Sequence, residues 1–547
     1  MKRYCDFSDV NEFYEYYHLQ NKMITEDIKK NDDEAAEANN ETAETNDEAK
    51  VEYTDEIKKY TNIFKNILIF TNSNDRDKNK TLDNIYEAID NLKKDKCKII
   101  PKLYIFIADE VQADILDNSS ICIKDSKTEL TLTDESNIDT LIFSRLSVQD
   151  NEECEYAVQL LQDYGFLVLN PVRSSALACN KYDTAVLLEK SNIPQPNFCL
   201  MNESILYDDK LYIESMRRIY KEFSKDDVDK NEKLQFVVKI LDGHGGTGVF
   251  LIDGKRIKAI LQTIFAISPK TQLIIQRKEE ADGGDIRVHV LTLKNKQVVL
   301  GAMKRVKIGG DFRSNVSLGA SAEPIELTKE QEDIALKVAK LSKIPWCAVD
   351  IMPLVKGSNK EIGDNVVLEI NASPGTDGIS DVLEENFINI LLNNLCDPTE
   401  FELNEKISGY IESITLYLDE DDDKGIELLA KLDTGNGAAA SHFEVTNLEV
   451  KGEDVEFKLF DKKYKFKKIG ESNARVGNEI HNRPIIVIPK IKVGNRCSVN
   501  VKIALVENRT KSTNVLINRN LISDLGYVVS PIKTHILTPE IEKVKII

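Results

Sequence analysis

Three textures follow one another along this chain of 547 residues, and no single hydrophobic core can serve all of them. Up to about residue 171, short apolar runs alternate with helical pattern: "NILIFTN" (66–72), "KLYIFIA" (102–108), "DTLIFSRL" (139–146) and "FLVLNP" (166–171), with "NEECEYAVQLLQDYG" between the last two. That order predicts a small α/β layer with a parallel sheet. From about 180, "QFVVKILDGHGGTGVFLID", "QLIIQRKEEADGGDIRVHVLTL", "QVVLGAMKRV", "WCAVDIMPLV" and "NVVLEINASPG" read as strands joined by glycine turns, with helices at 325–342 and around 380–396. This is an α+β pattern with antiparallel sheet. After Pro398 nearly everything is strand and turn, which predicts an all-β module. The expected organisation is an N-terminal segment (1–60), an α/β domain (61–178), an α+β domain (179–400) and an all-β domain (405–547).

The N-terminal segment contains "KNDDEAAEANNETAETNDEAKVEYTDE" (30–56), which has almost nothing to bury and reads as a solvated acidic tether. A formal net charge of -20 argues against wholesale wrapping by nucleic acid. Nine scattered cysteines with no CxxC pair fit a reducing compartment. No window approaches the apolar length of a membrane span, so a cytoplasmic location without a membrane partner is expected.

Chemistry concentrates in the middle of the chain. In "LEINASPGTDG" (368–378), Glu369 and Asn371 are two apart on a strand and so share a face. Asp350, in "AVDIMP", lies on the preceding strand, and the polar connection "LVKGSNKEIGDN" lets it stand opposite Glu369. Hard oxygen donors without thiol or imidazole suit Mg²⁺, with Mn²⁺ as a substitute. On this stretch alone, a turn closing a hairpin with Glu369 simply solvated remains equally open.

"KILDGHGGTGVF" shifts the balance. Lys239 ends an apolar strand, Gly243, Gly245, Gly246 and Gly248 follow, and another strand begins at once. Strand–loop–strand excludes the P-loop and the dinucleotide fingerprint, which both need a helix after the glycines. Such a loop can lie over phosphates and offer backbone N–H groups. "GGDIR" (283–287) and "GDFRSN" (310–315) add arginines suited to bidentate anion binding.

The order of these motifs over roughly residues 139–395 resembles the RimK-type glutamate ligases of the ATP-grasp superfamily. The resemblance implies an ATP-grasp ligase with an N-terminal pre-ATP-grasp α/β domain, using ATP and Mg²⁺. It implies that Lys181 and Lys239 hold phosphates, that Gly245 and Gly246 belong to the covering loop, and that Gln276, Arg277 and Lys278 form the adenine hinge. Asp285 would also face the nucleotide, Arg313, Ser314 and Asn315 would reach phosphates and acyl intermediate, and Asp350, Glu369 and Asn371 would bind the metal. Arg277 and Lys278 depart from the acidic and aromatic pair usual in the hinge. The implied reaction forms an acyl phosphate that an amine converts to an amide, with Arg313 and Arg287 stabilising anionic species. Glutamate or a similar amino acid would be added to a protein or peptide, and Arg287, Arg305 and Lys307 are candidates for a partner's carboxylate.

The last segment raises another chemistry. "LLAKLDTGNGAAASHF" (428–443) places Asp433 in an Asp-Thr-Gly turn after an apolar strand, and "NVLINRNLISDLGYVVS" (514–530) supplies a later strand and short helix. Residues 408–535 are similar to the RimB-like family, retropepsin-like proteins labelled ATP-dependent zinc proteases. That likeness implies a retropepsin-like β-barrel with Asp433 catalytic. Asn436, the "GAAA" that follows and Asn518 depart from the pattern, and His442 and His481 form no zinc constellation. One Asp-Thr-Gly gives a two-carboxylate site only in a homo-oligomer with an even number of subunits. Alternatives to the ligase reading are a peptide hydrolase or peptide-binding protein centred on this segment, or a ligase with a small-metabolite acceptor.

Overall fold

The computed structural model describes residues 63–72, 79–117, 120–133, 136–137, 139–145, 152–225, 228–241, 248–294, 296–306, 321–356, 363–395, 406–419, 425–476, 479–507 and 513–538, and not the side chains of 152–153, 228–229 and 473–481. The acidic stretch 30–56 lies outside them.

The first domain alternates strand and helix: β1 (Asn66–Thr71), α1 (Lys80–Lys94), β2 (Lys102–Ile107), β3 (Gln112–Asp117), β4 (Ser120–Lys124), β5 (Glu129–Thr133), β6 (Thr140–Ser144), α2 (Glu152–Asp163) and β7 (Leu167–Leu169). The four apolar runs form a parallel sheet in the order β2-β1-β6-β7. Helix α1 begins where the Asn79 side chain accepts the Leu82 N–H, and Asp83 in its first turn and Lys93 and Lys94 in its last suit the helix dipole. The antiparallel trio β3-β4-β5 went unread in the sequence, because its short strands mix Asp, Lys and Glu with their few apolar residues.

The middle domain holds two antiparallel sheets. Helices α3 (Val172–Cys179) and α4 (Lys181–Lys190) lead into β8 (Phe198–Met201), α5 (Asp209–Ile219), β9 (Gln235–Ile240), β10 (Val249–Asp253), α6 (Ile257–Ile267) and β11 (Leu273–Arg277), whose sheet runs β10-β9-β11-β8. Then come β12 (Asp285–Thr292), β13 (Gln297–Val306), β14 (Ser321–Pro324), α7 (Lys329–Ser342), β15 (Trp346–Pro353), β16 (Asn365–Asn371), α8 (Asp377–Leu383) and α9 (Phe387–Asn394), with sheet order β14-β13-β12-β15-β16. The capping box of Thr328 and Gln331 starts α7 at Lys329, four residues inside the expected 325–342.

One core joins the first domain to this second sheet: Ile67, Ile69, Ile85 and Ile89 pack with Leu291, Trp346, Phe387 and Leu391. Asn170 locks the junction. Its side chain accepts the Trp346 N–H at 2.9 Å and donates to the carbonyls of Trp346 and Ala372, so the start of β15 and the end of β16 are held together from the first domain.

The last part is strand-rich: β17 (Lys406–Gly409), β18 (Ile411–Tyr417), β19 (Ile426–Asp433), β20 (Ser441–Lys451), β21 (Asp454–Leu459), β22 (Lys462–Lys467), β23 (Gly470–Val476), β24 (Glu479–Val493), β25 (Arg496–Glu507), β26 (Val515–Asn518), a short helix α10 (Arg519–Asp524) and β27 (Tyr527–Ser530). Strands β20, β25, β24, β18, β19 and β26 close into a six-stranded barrel when β26 returns to β20. Inside this part, the fully buried Glu412 accepts the N–H groups of Gly409 (2.7 Å), Ile536 (2.9 Å), Leu537 (3.2 Å) and Thr538 (3.3 Å) and the Thr538 hydroxyl (2.9 Å).

Candidate active site

The site is built from the pleat of β12, β15 and β16. Asp350 on β15 is the register partner of Arg287 on β12 and of Glu369 on β16, so the three side chains rise on one face. A bulge after Asp350 turns the β15–β16 pair at that point. Arg287 grips Asp350 bidentately, Nε to Oδ1 at 2.8 Å and Nη2 to Oδ2 at 2.7 Å. Arg305, on β13, donates Nη2 to Asp350 Oδ2 at 2.7 Å and clamps its own register partner Asp285 with bonds of 2.7 and 2.8 Å. The cluster is interior: Asp350 is 1%, Arg305 3% and Asp285 4% exposed.

Burial alone would raise Asp350, but Arg287 and Arg305 outweigh it and hold the carboxyl well below the usual carboxylate range. Burial likewise opposes the charge on Arg305, and Asp350 and Asp285 overcome it and raise the guanidinium. Among the described residues Glu369 has no such clamp, and the ion pair it makes is with Arg287 Nη2 at 3.9 Å. Burial and the Asp350 charge push it up, with Lys239 acting against them. A carboxyl raised beside a second carboxylate is the place a divalent cation relieves.

A pocket opens against Glu369. Lys181, Thr184, Ala185 and Leu188, at helical spacing on α4, form one wall; Lys239, Gln276 and Gln195 form another. Lys239 on β9 lies beside Ile274 of β11, and the Lys181 Nζ donates to the Leu241 carbonyl at 3.3 Å. Burial first, and then the Lys181 charge, lower Lys239, while Glu369 works the other way. A lysine so placed gains from an anion in the pocket.

The structure thus brings together Lys181, Lys239, Gln276 and Glu369, with Asp350 and Arg287 next to Glu369. Asn371 continues the same face of β16, its Oδ1 accepting the Ser373 N–H at 2.9 Å. Among the described residues no group of three or more His, Cys, Asp or Glu could hold a metal, so a cation here would rest on Asp350 and Glu369 with the carboxamide of Asn371. Elsewhere the placement differs from the sequence reading. Arg277 lies over the Tyr220 ring at 5.0 Å with Nε 3.3 Å from Glu279, and Lys278 Nζ donates to the Glu279 carbonyl at 2.7 Å, so neither side chain is in the pocket lining. Asp285 faces Arg305 instead of the pocket, and Arg287 and Arg305, candidates for a substrate carboxylate, are both engaged with Asp350. Gly245, Gly246, Lys307, Arg313, Ser314 and Asn315 lie outside the described residues. Thr184 and Gln195 were missed, although Thr184 follows Lys181 by three on a helix and was there to be found.

Residues 178–395 match the family model described as the RimK-like ATP-grasp domain. The middle of this chain is thus similar to an ATP-grasp domain. Its relatives include "Probable alpha-L-glutamate ligase" of Vibrio atlanticus (strain LGP32), 37% identical over 145 residues, which are 26% of this chain and 44% of the relative. The protein of the same name from Psychromonas ingrahamii is 33% identical over 175 residues, 32% of this chain and 54% of the relative. The chain spans about half the length of the curated relatives it matches. A structure of the ATP-grasp ligase PsnB complexed with minimal precursor superposes with a TM-score of 0.42 at 19% identity, covering 62% of this chain and 98% of that one.

In the barrel, Asp433 ends β19 beside Asn518 of β26, partly buried, and its Oδ1 accepts the Gly435 N–H at 3.1 Å. Asn518 also accepts from the Ser441 hydroxyl (3.0 Å) and the Leu521 N–H (3.1 Å), which caps α10. His442 sits against Arg483, with Nη1 at 3.3 Å from Nε2. The side chain of His481 is not among those described. No helix among the described residues is long and apolar enough to cross a membrane.

Proposed function

We propose that the chain is an ATP-dependent carboxylate–amine ligase that adds glutamate or a similar amino acid to a peptide or protein. One observation carries this reading: Glu369, register partner of Asp350, borders the pocket whose other walls present Lys181, Lys239 and Gln276, inside a segment that matches the RimK-like ATP-grasp domain. The lysines hold the nucleotide phosphates, and Asp350, Glu369 and Asn371 hold Mg²⁺. Bound Mg²⁺ supplies charge neutralisation at the terminal phosphates. Arg287 and Arg305 are positioning residues that keep Asp350 ionised and aimed. A substrate carboxylate oxygen attacks the γ-phosphorus and ADP leaves; the amine nitrogen then attacks the acyl carbon, phosphate leaves, and the nitrogen gives up a proton. Arg313, Ser314 and Asn315 belong to this reading through the family motif, as do Gly245 and Gly246.

A second reading concerns the barrel. Its closed ring and the Asp433 turn at a strand end support a retropepsin-like module that binds or cleaves peptides, with two chains supplying two carboxylates.

The test incubates the full chain with ATP, Mg²⁺, each amino acid and candidate peptides, and reads ADP and product mass. Glutamyl-extended product that depends on Glu369 and survives Asp433→Ala is the expected result. ADP release indifferent to every amino acid, with no product, would end the ligase reading.

A further inference from the structure

The parallel sheet of the first domain reverses its direction of growth between β1 and β6: from β1 the chain passes to β2 on one side, and from β6 to β7 on the other. In open α/β sheets the carboxyl ends of strands at such a reversal form the ligand crevice. Arg145 is the first residue beyond β6, tied there by its N–H to the Phe70 carbonyl at 2.9 Å. The start of α1 comes to the same edge, where Asn79 Nδ2 donates to Thr71 Oγ1 at 3.0 Å.

The Arg145 guanidinium reaches out of its own domain. Nη2 donates to the Ser373 carbonyl and to Thr81 Oγ1, both at 3.4 Å, and its carbon lies 5.7 Å from the Trp346 ring centroid. Those two bonds are long and go to neutral oxygens. Among the described residues no carboxylate accepts from it, and Asp377 acts on it only at a distance. Burial accordingly lowers it to about 10. Arg287 and Arg305 each clamp a carboxylate, so Arg145 differs from them among the described residues around the site. A half-buried guanidinium held only by neutral oxygens and an indole face can still take a carboxylate with paired hydrogen bonds.

Its location tells which carboxylate. Ser373, which Arg145 touches, donates its N–H to Asn371, and Trp346 stands on the Asp350 face of β15 four residues away, or about 13 Å along the strand. Arg145 thus borders this face at its Trp346 and Ser373 end, while Arg287 and Arg305 hold Asp350, which leaves Arg145 to the carboxylate at the other end of the substrate.

We propose that Arg145, with Thr81 and the start of α1, forms a subsite for the carboxylate that is not activated, on the amino acid or on the peptide end. The subsite rests on the ligase reading for its role, but not for its existence.

Binding to the full chain with ADP and Mg²⁺ present, measured calorimetrically, decides it. The probes are two pairs: glutamate against its α-carboxamide, and a peptide with a free C-terminal glutamate against the same peptide amidated. The wild-type protein should prefer the acid of one pair by roughly 10- to 100-fold. R145Q should erase that preference while leaving ADP affinity unchanged, and R145K should restore part of it, which a purely structural role would not do. The pair that responds identifies the substrate. An R145Q protein of unchanged melting temperature that keeps the preference, or a wild type with none in either pair, overturns the proposal. Should R145Q misfold, R145K against wild type carries the same comparison. If the preference depends on Arg145 yet ATP is never turned over, the ligase reading falls and the subsite stands.

Discussion

Asp350 and Asp433 are both carboxylates on apolar strands, and their surroundings could hardly differ more. Asp350 takes three hydrogen bonds from two guanidiniums and stands against a second carboxyl, Glu369. Asp433 accepts a backbone N–H of its own turn and sits beside the carboxamide of Asn518. A turn motif places an acid at a strand end; charges contributed by neighbouring strands decide what that acid can do. The middle domain has imported those charges from β12 and β13, whereas the barrel strand stands next to a neutral side chain.

That contrast can be broken experimentally. Arg305→Met should cost about 3–5 kcal/mol in chemical denaturation, because it strands Asp285 in the interior and leaves Asp350 with one guanidinium instead of two. A loss below 1 kcal/mol would mean that the cluster is solvated and that the difference from Asp433 is superficial. Glu369→Ala should reduce amino-acid-dependent ADP release by about 100-fold or more with the fold retained, as judged by its melting temperature. The same strand face offers a sharper test through His289, fully buried against Phe387 at 4.7 Å, without a hydrogen-bond partner among the described residues and pushed down by burial to about 3. The unfolded chain takes up that proton below pH 6.5 and the folded one does not, so stability must fall as pH drops from there towards 3. His289→Phe should therefore remove about 2 kcal/mol of the stability lost between pH 8 and pH 5, read from denaturation curves at both values. The smallest effect belongs to Asp433→Asn, which should leave ADP release unchanged and alter stability by less than about 0.5 kcal/mol. A large effect on either would show the barrel coupled to the Asp350–Glu369 site.

The elements were legible where apolar runs were long. The parallel strands from 66 to 169 and the β15–β16 hairpin follow from alternation and turn chemistry, and the hairpin is what puts Asp350 opposite Glu369. The arginine clamps were not legible in the same way. Arg287 and Asp350 are 63 residues apart and meet because β12 pairs with β15, a choice of sheet order that local pattern does not encode. Arg145 was passed over for a related reason: its partners Ser373 and Trp346 belong to another domain. The side chains of Arg277 and Lys278 turn towards Tyr220 and Glu279, contacts that a motif alignment does not see.

Glu412 gives the far end of the chain an unexpected weight. Positions 536–538 look like a trailing thread, yet they supply five of the six hydrogen bonds that quench an acid with no access to water. Shortening the protein to residue 534 would thus be no cosmetic trim: it would leave the Glu412 carboxylate in the barrel wall with the Gly409 N–H as its one remaining donor from this set and loosen β18 beside it.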